Sequence, residues 1–361
     1  MEKFSNWRDG PTGIHPLLPP KAKSVSVFGY IIKFVIGPII SIIRVPIILI
    51  LTALLIIFNI IARSIPIGWL SRMICRFFDI IIGRIILLCM GFIQLDEFTE
   101  TLSRSKVASG SIDQCTRKDI IICNHSSYVD IIYLCYKFSP TFAIPPNDEK
   151  NLNENIGKLI PLTLGRALEN SIYSPIQLSS KSVDTNKLVE SIQSSWNGPL
   201  VIFPEGTTSN GQGLLDISPI FPSQSQSQSQ SQFNTFKEIS ANKLSIHVIG
   251  LSYHYGIYSP CYSSVGNVFL HLFLVCCQIS NSIQIHYLSR SCMPPPPKQS
   301  QLSQYINNNG LSDENEWFDQ LFKSLSSLIN TRRTKITNND KLSFISKWKG
   351  YKVDYSSKKS N

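Results

Sequence analysis

Cysteine, glycine and charge are all scarce in this chain. Nine Cys among 361 residues, no two of them spaced as Cys-x-x-Cys, exclude a disulfide-stapled miniature fold and a standard zinc knuckle. The thiols are expected to be buried and reduced, and no metal site is expected. Nineteen Gly and twenty-one Pro without a Gly-X-Y period exclude a collagen-like chain. A charged fraction of only 16% against 43% apolar residues excludes wholesale disorder and leaves ample core for one large or two modest domains. Missing too are a terminal Lys-Asp-Glu-Leu retention signal and the aromatic-basic interleaving of a nucleic-acid binder, so nucleic acid is set aside as a partner. What charge remains is basic, a net +10, and it is concentrated. From Thr331 to Asn361 there are nine Lys or Arg against only Asp340 and Asp354. Such a tail is either simply solvated or rests on an anionic membrane surface.

What the chain has in excess is a long apolar stretch from Val25 to Phe92. Within it Val45–Ala62 is eighteen residues without a charge, about 27 Å as a helix against a bilayer core of about 30 Å. The flanking runs, Val25–Ile43 broken by Lys33 and Pro38 and Ile80–Phe92 broken by Arg84, read as interfacial or re-entrant helices rather than spans. Membrane attachment follows, the alternative being a core helix of a soluble protein. A cleaved signal peptide fits poorly, because the polar leader is long and the run exceeds an h-region. Basic residues flank the run on both sides, so its orientation is not legible.

After Leu95 the pattern is that of an α/β domain. Strands are expected at Ile120–Cys123, Leu200–Phe203, Leu244–Tyr253 and Ile283–Leu288, the last with Ile283, Ile285 and Tyr287 on one face. Asp184 should cap a helix carrying Leu188, Val189, Ile192 and Trp196, stopped by Gly198-Pro199. An amphipathic helix over 313–330 presents Phe318, Leu321, Phe322, Leu325, Leu328 and Ile329 and is expected to pack on the core. The five Ser-Gln repeats of 223–232 read as a disordered insertion. The organisation predicted is a polar leader (1–23), a membrane-anchoring helical region (24–95), an α/β domain with a mixed central sheet flanked by helices (96–305), and an amphipathic helix with a basic tail (306–361).

Two short motifs carry the chemistry. Directly after the first strand stands Asn124-His125-Ser126-Ser127-Tyr128-Val129-Asp130. Within one helix a spacing of five would splay His125 and Asp130 apart. They meet only if His125 lies in the loop and Asp130 in the first turns of a helix capped by Ser126 or Ser127. Asp130 could then fix the tautomer of a histidine acting as general base, and the helix N-terminus could serve an oxyanion or a phosphate. A competing reading takes Asn124-His125-Ser126 as a glycosylation acceptor. The second motif, Phe203-Pro204-Glu205-Gly206-Thr207-Thr208-Ser209-Asn210-Gly211, forms a sharp turn at a strand end, with hydroxyls and backbone N–H groups suited to an anionic or polyhydroxyl ligand.

Asn-His-x4-Asp followed by Phe-Pro-Glu-Gly-Thr resembles the glycerolipid acyltransferases of the 1-acylglycerol-3-phosphate type. The opening EKFSNWRDGPTGIHPLLP and the layout look most like the fungal lysophosphatidic acid:oleoyl-CoA acyltransferase branch. The resemblance implies acyl transfer from acyl-CoA, oleoyl-CoA in that branch, to the hydroxyl of a lysophospholipid, with no bound cofactor. It assigns His125 and Asp130 to catalysis, and Asn124, Pro204, Glu205, Gly206, Thr207 and Thr208 to substrate binding. It also implies membrane lipids as surroundings, at the endoplasmic reticulum or lipid droplets with the catalytic domain cytosolic. Two departures stand out: Thr208 occupies the position where many members have Arg, and the intermediate Gly-x-x-Phe-x-x-Arg block is reduced to GRALEN with Arg166. The first leaves lysophosphatidic acid, lysophosphatidylcholine and lysophosphatidylethanolamine open as acceptors. A non-catalytic membrane or lipid-droplet scaffold is the alternative outside enzymes.

Overall fold

The computed structural model describes residues 3–22, 27–100, 115–147, 157–173, 182–217, 235–240, 243–295 and 313–350. The Ser-Gln tract and the last eleven residues, with Lys352, Lys358 and Lys359, lie outside them.

The apolar stretch forms a helical hairpin. Val27–Ile31 and the π-turn Ile32–Ile36 run directly into α1 (Gly37–Arg63), and α2 (Gly68–Cys89) returns against it. The flanking run interrupted by Lys33 and Pro38, from Gly29 onward, is therefore continuous in one helix with Val45–Ala62. Pro38 follows the π-turn directly, and the wider turn lets the helix continue past a residue without an N–H. Likewise Ile80–Phe92 is not a separate interfacial helix but largely the second half of α2. Ser41, Ile48, Leu55, Asn59 and Ala62 line the one buried stripe of α1, whereas Ile39, Ile43, Ile50, Ile57 and Ile61 are exposed. Gly29–Arg63 is, among the described residues, the one helix long and apolar enough to cross a membrane.

Beyond the hairpin, eight strands form one mixed sheet in the order β1-β9-β8-β2-β6-β3-β4-β5. They are β1 (Leu95–Glu100), β2 (Ile120–Cys123), β3 (Thr141–Ile144), β4 (Lys158–Leu162), β5 (Val183–Asp184), β6 (Leu200–Ile202), β8 (Ile246–His254) and β9 (Ser282–Leu288). The centre, β8-β2-β6-β3, is parallel, and β9, β4 and β5 join antiparallel to their inner neighbours. The strand period of two splits the central side chains between two cores. Ile121, Cys123, Val201, Phe203, Ile249 and Leu251 face the hairpin side, packed with α3 (Tyr128–Phe138) and α4 (Leu164–Ile172). Ile120, Ile122, Leu200, Ile202, Ile246 and Val248 face α5 (Thr185–Ser194), α6 (Thr235–Ser240) and α8 (Asp313–Leu328). Asp184 caps α5 by accepting from the N–H groups of Asn186 and Lys187, as its sequence predicts, but Trp196 falls beyond the helix and is exposed. Trp317, Phe318, Leu321, Phe322, Leu325 and Leu328 of α8 are buried, so this helix packs on the domain.

The hairpin is bolted to the helix that follows the first motif. Asn59 donates to Asp79 (2.7 Å), Asp79 accepts from Ser139, and Arg72 and Arg76 donate to the carbonyls of Phe138 (2.8 Å) and Tyr136 (3.0 Å). These guanidinium groups satisfy the free carbonyls at the C-terminus of α3 and complement its dipole. The described segments 3–22 and 313–350 also join the body. Leu17 near the start packs with Leu215, Val265, Ile336 and Phe344 in a third small core, closed by α9 (Asn338–Trp348). The paired strands β7 (Gly213–Leu214) and β10 (Arg332–Arg333) and the bond from Trp7 Nε1 to Ser343 Oγ (2.9 Å) hold this corner.

Candidate active site

β2 ends at Cys123 and α3 begins at Tyr128, so His125 stands in the strand-to-helix loop at the carboxyl edge of the parallel strands. Ser127 is the N-cap. Its hydroxyl accepts from the N–H of Val129 (3.2 Å), and Asp130 accepts back from the N–H of Ser127 (2.8 Å), a reciprocal capping box. This local geometry brings the five-residue spacing together. Asp130 Oδ2 lies 3.0 Å from His125 Nδ1 and accepts from the N–H of Ser126 at 2.7 Å, while Tyr253 O–H donates to Oδ1. Both side chains are buried, His125 at 1% exposure and Asp130 at 0%. A carboxylate held by four donors fixes the Nδ1–H tautomer and leaves Nε2 as the acceptor. The imidazole also stacks on Phe203, centroid to centroid 4.2 Å.

Nε2 is 3.0 Å from Ser171 Oγ, on the last turn of α4, whose single hydroxyl hydrogen serves either Nε2 or the Ala167 carbonyl at 2.8 Å. The first-turn N–H groups expected to face a ligand are largely committed instead: those of Ser126 and Ser127 go to Asp130, and that of Val129 to Ser127.

The second motif wraps this loop from below. Glu205 Oε1 accepts from the His125 N–H (2.8 Å) and Oε2 from the Leu215 N–H (2.9 Å), so both its oxygens position backbone. Burial pushes its carboxyl up to about 8, against the pull of those two N–H groups and of nearby Lys341. Asn124 likewise pairs both amide atoms with the backbone of Leu251, at 2.7 and 3.0 Å. At 3% exposure it offers no glycan acceptor in the folded protein. Pro204 is buried at the turn. Gly206 adopts φ +68°, a conformation that favours glycine, and a Cβ there would come within 2.7 Å of Asn338 Nδ2 and push that side chain aside. Asn170, next to Ser171, donates to the Gly206 carbonyl (3.3 Å), so adjacent residues of α4 rest on both motifs. Thr207 and Thr208 are fully buried. Asn210 anchors the leader, donating to the carbonyls of His15, Pro16 and Leu18, each at 2.8 Å.

The structure thus gathers His125, Asp130, Glu205, Gly206, Thr207 and Thr208 around one loop crossing. Arg166 does not join them; it is exposed and paired with Glu169 at 2.7 Å. Sequence reasoning missed Ser171, Tyr253 and Lys341, which meet the motifs from 46, 123 and 134 residues away. For potential metal ligands, Cys115, Asp119 and His247 gather within 4.8 Å at the opposite end of β2. There Asp119 Oδ2 is already engaged by His247 Nε2 (3.2 Å) and the Thr116 N–H (2.7 Å).

Residues 103–222, which contain both motifs, match the family model described as Acyltransferase. A protein of Schizosaccharomyces pombe described provisionally as a lysophosphatidic acid:oleoyl-CoA acyltransferase is 29% identical over 63% of this chain and 70% of its own length. A lysophospholipid acyltransferase of Arabidopsis thaliana is 26% identical over 60% of this chain and 52% of its own. The crystal structure of the 1-acyl-sn-glycerophosphate acyltransferase of Thermotoga maritima aligns over 80% of this chain and 97% of its own, with a TM-score of 0.34 and 12% identity. Residues 103–222, with the paired His125 and Asp130 inside them, thus match the acyltransferase family, and the relatives support an O-acyltransferase of the glycerolipid type.

Proposed function

We propose that the protein esterifies the free hydroxyl of a lysophospholipid, lysophosphatidic acid foremost, with the acyl group of an acyl-CoA such as oleoyl-CoA. The observation that carries this reading is the buried His125–Asp130 pair at 3.0 Å with Nε2 facing a hydroxyl oxygen. In the reaction the acceptor hydroxyl takes the place of Ser171 Oγ at Nε2. His125 removes its proton as the oxygen attacks the thioester carbonyl, Asp130 stabilises the imidazolium, and the proton passes on to the departing CoA thiolate. No covalent enzyme intermediate is needed. General-base assistance supplies about 10²–10⁴-fold, and the rest comes from holding two amphiphiles together and stabilising the oxyanion.

Both substrates carry acyl chains, which gives the exposed apolar faces a purpose. Ile39, Ile43 and Ile50 of α1, Met73, Phe77 and Ile81 of α2, and Phe269 and Leu270 of α7 (Val268–Cys276) offer apolar area that water disfavours and a bilayer accepts. In this reading the hairpin lies in the membrane of the endoplasmic reticulum or of a lipid droplet and delivers the lysolipid to the domain, which faces the cytosol. A second reading, remodelling of lysophosphatidylcholine or lysophosphatidylethanolamine, is favoured by Thr208, which puts no guanidinium at the turn. The test is CoA release by detergent-solubilised protein given oleoyl-CoA with each of the three lysolipids. Highest kcat/KM with lysophosphatidic acid supports the first reading, highest with either of the others the second, and no release with any acceptor from folded protein refutes both.

A further inference from the structure

Lys341, in the first turns of α9, is the one Lys or Arg that is fully buried among the described residues, at 0% exposure. Its Nζ, with three hydrogens at most, lies within hydrogen-bond reach of four oxygens: Thr207 Oγ1 (2.9 Å), the Thr208 carbonyl (2.6 Å), Thr208 Oγ1 (2.9 Å) and Ser264 Oγ (3.1 Å). Every one of these partners is a neutral oxygen. The carboxyl group that acts on it electrostatically, Glu205, accepts from a backbone N–H at each oxygen. An ammonium taken out of water without a bonded anion is costly, and burial accordingly drives Lys341 away from its charged form. A structural lysine could have been replaced by an apolar residue of the same length at lower cost.

The hydroxyls it meets give the cation a reach. An oxygen that accepts from an ammonium keeps its own hydrogen to donate and becomes a stronger donor for it. Among the described residues, the hydrogen bond that Thr207 Oγ1 makes is that from Lys341. Thr208 Oγ1 shares a 3.2 Å contact with Ser264, whose hydroxyl lies 3.4 Å from the Ser171 carbonyl. The chain of contacts therefore runs from the last helix through the second motif to the residue lying against His125 Nε2. Asn170 and Ser171 cover Gly206 and His125 together, so a ligand that displaces the end of α4 from one uncovers the other.

We propose that Lys341 is a positioning and specificity residue: acting through the Thr207 and Thr208 hydroxyls, it supplies the positive field that favours an acceptor carrying a phosphate monoester over a zwitterionic one. This rests on the acyltransferase reading above and adds to it the group that selects the acceptor. An arriving phosphate provides the countercharge that the folded protein withholds from this lysine, and so restores the charged form that burial alone disfavours.

The experiment compares full-length wild type, Lys341→Met and Lys341→Arg in detergent, with oleoyl-CoA and either lysophosphatidic acid or lysophosphatidylcholine, and records a melting curve for each protein. A charge-assisted contact corresponds to about tenfold or more in binding. Lys341→Met is therefore expected to raise KM for lysophosphatidic acid about tenfold more than for lysophosphatidylcholine, with kcat changed by less than about threefold, and Lys341→Arg to keep most of the preference. Equal losses on both acceptors, or none on either, overturn the proposal. Should Lys341→Met not fold, Thr208→Val removes the hydroxyl while keeping the lysine and must give the same acceptor-selective rise; an unselective effect is equally fatal. Equilibrium binding of the two lysolipids to the same proteins reads the preference without turnover. A wild type that binds selectively but turns over neither acceptor would therefore count against the reaction and not against Lys341.

Discussion

Replacing Asp130 by Asn keeps the shape of the side chain and removes its charge, which isolates what the carboxylate does for His125. Four donors converge on it: His125 Nδ1, the N–H groups of Ser126 and Ser127, and Tyr253 O–H. An asparagine accepts at one oxygen only. If that oxygen takes the three nitrogen donors, its NH₂ must donate to Tyr253, whose hydroxyl can turn to accept. The fold then survives, with each of the three remaining bonds weakened from charge-assisted to neutral. At about 0.5–1 kcal/mol per bond the loss of stability is about 1.5–3 kcal/mol. The chemistry suffers more, because the imidazolium formed in the transition state loses its countercharge in a fully buried site. The expected fall in kcat is about 10²–10⁴-fold with KM little changed. CoA release under saturating substrates, read beside a melting curve, gives both quantities. Retention of more than about a tenth of wild-type kcat in a folded Asp130→Asn protein would refute the assignment of Asp130 to the imidazolium.

Ser171→Ala frees Nε2 and should leave acyl transfer within about tenfold of wild type in the same assay; a loss as deep as that of His125→Ala would mean that Ser171 itself carries the acyl group. Glu205 makes a linkage prediction for stability. Its value rises from 4.5 unfolded to about 8 folded, so between those pH values the folded protein holds a proton that the unfolded chain has released. The stabilisation from this group is complete below about 4.5 and is lost as pH climbs to about 8, by at most roughly 5 kcal/mol. Melting temperatures across that range should fall less steeply in Glu205→Gln than in wild type, and equal slopes would contradict the linkage.

The parts of the fold visible in the sequence are those written in local periodicity. β2, β6, β8 and β9 are apolar runs, and α5 and α8 have capped or amphipathic patterns. β1 was hidden by its polar sequence Leu-Asp-Glu-Phe-Thr-Glu, and β4 by Pro161, which reads as a strand breaker. The pairs β5 and β7/β10 are two residues long and carry no period at all. Continuity of the first helix through Lys33 and Pro38 depended on a π-turn, which composition does not announce. At the site, the His125–Asp130 meeting was legible because loop and cap are adjacent in sequence. Ser171 follows directly on the GRALEN block, in which Arg166 alone drew attention, and was not legible. Lys341 sits in what reads as a basic tail, and its partners lie 77 to 134 residues away. Contacts at that separation leave no local trace.

The account stands most directly on His125. Release of CoA from oleoyl-CoA in the presence of lysophosphatidic acid should fall by about 10²–10⁴-fold in folded His125→Ala protein, while Arg166→Ala, an exposed control outside the site, stays near wild type. Undiminished turnover in His125→Ala would contradict the account.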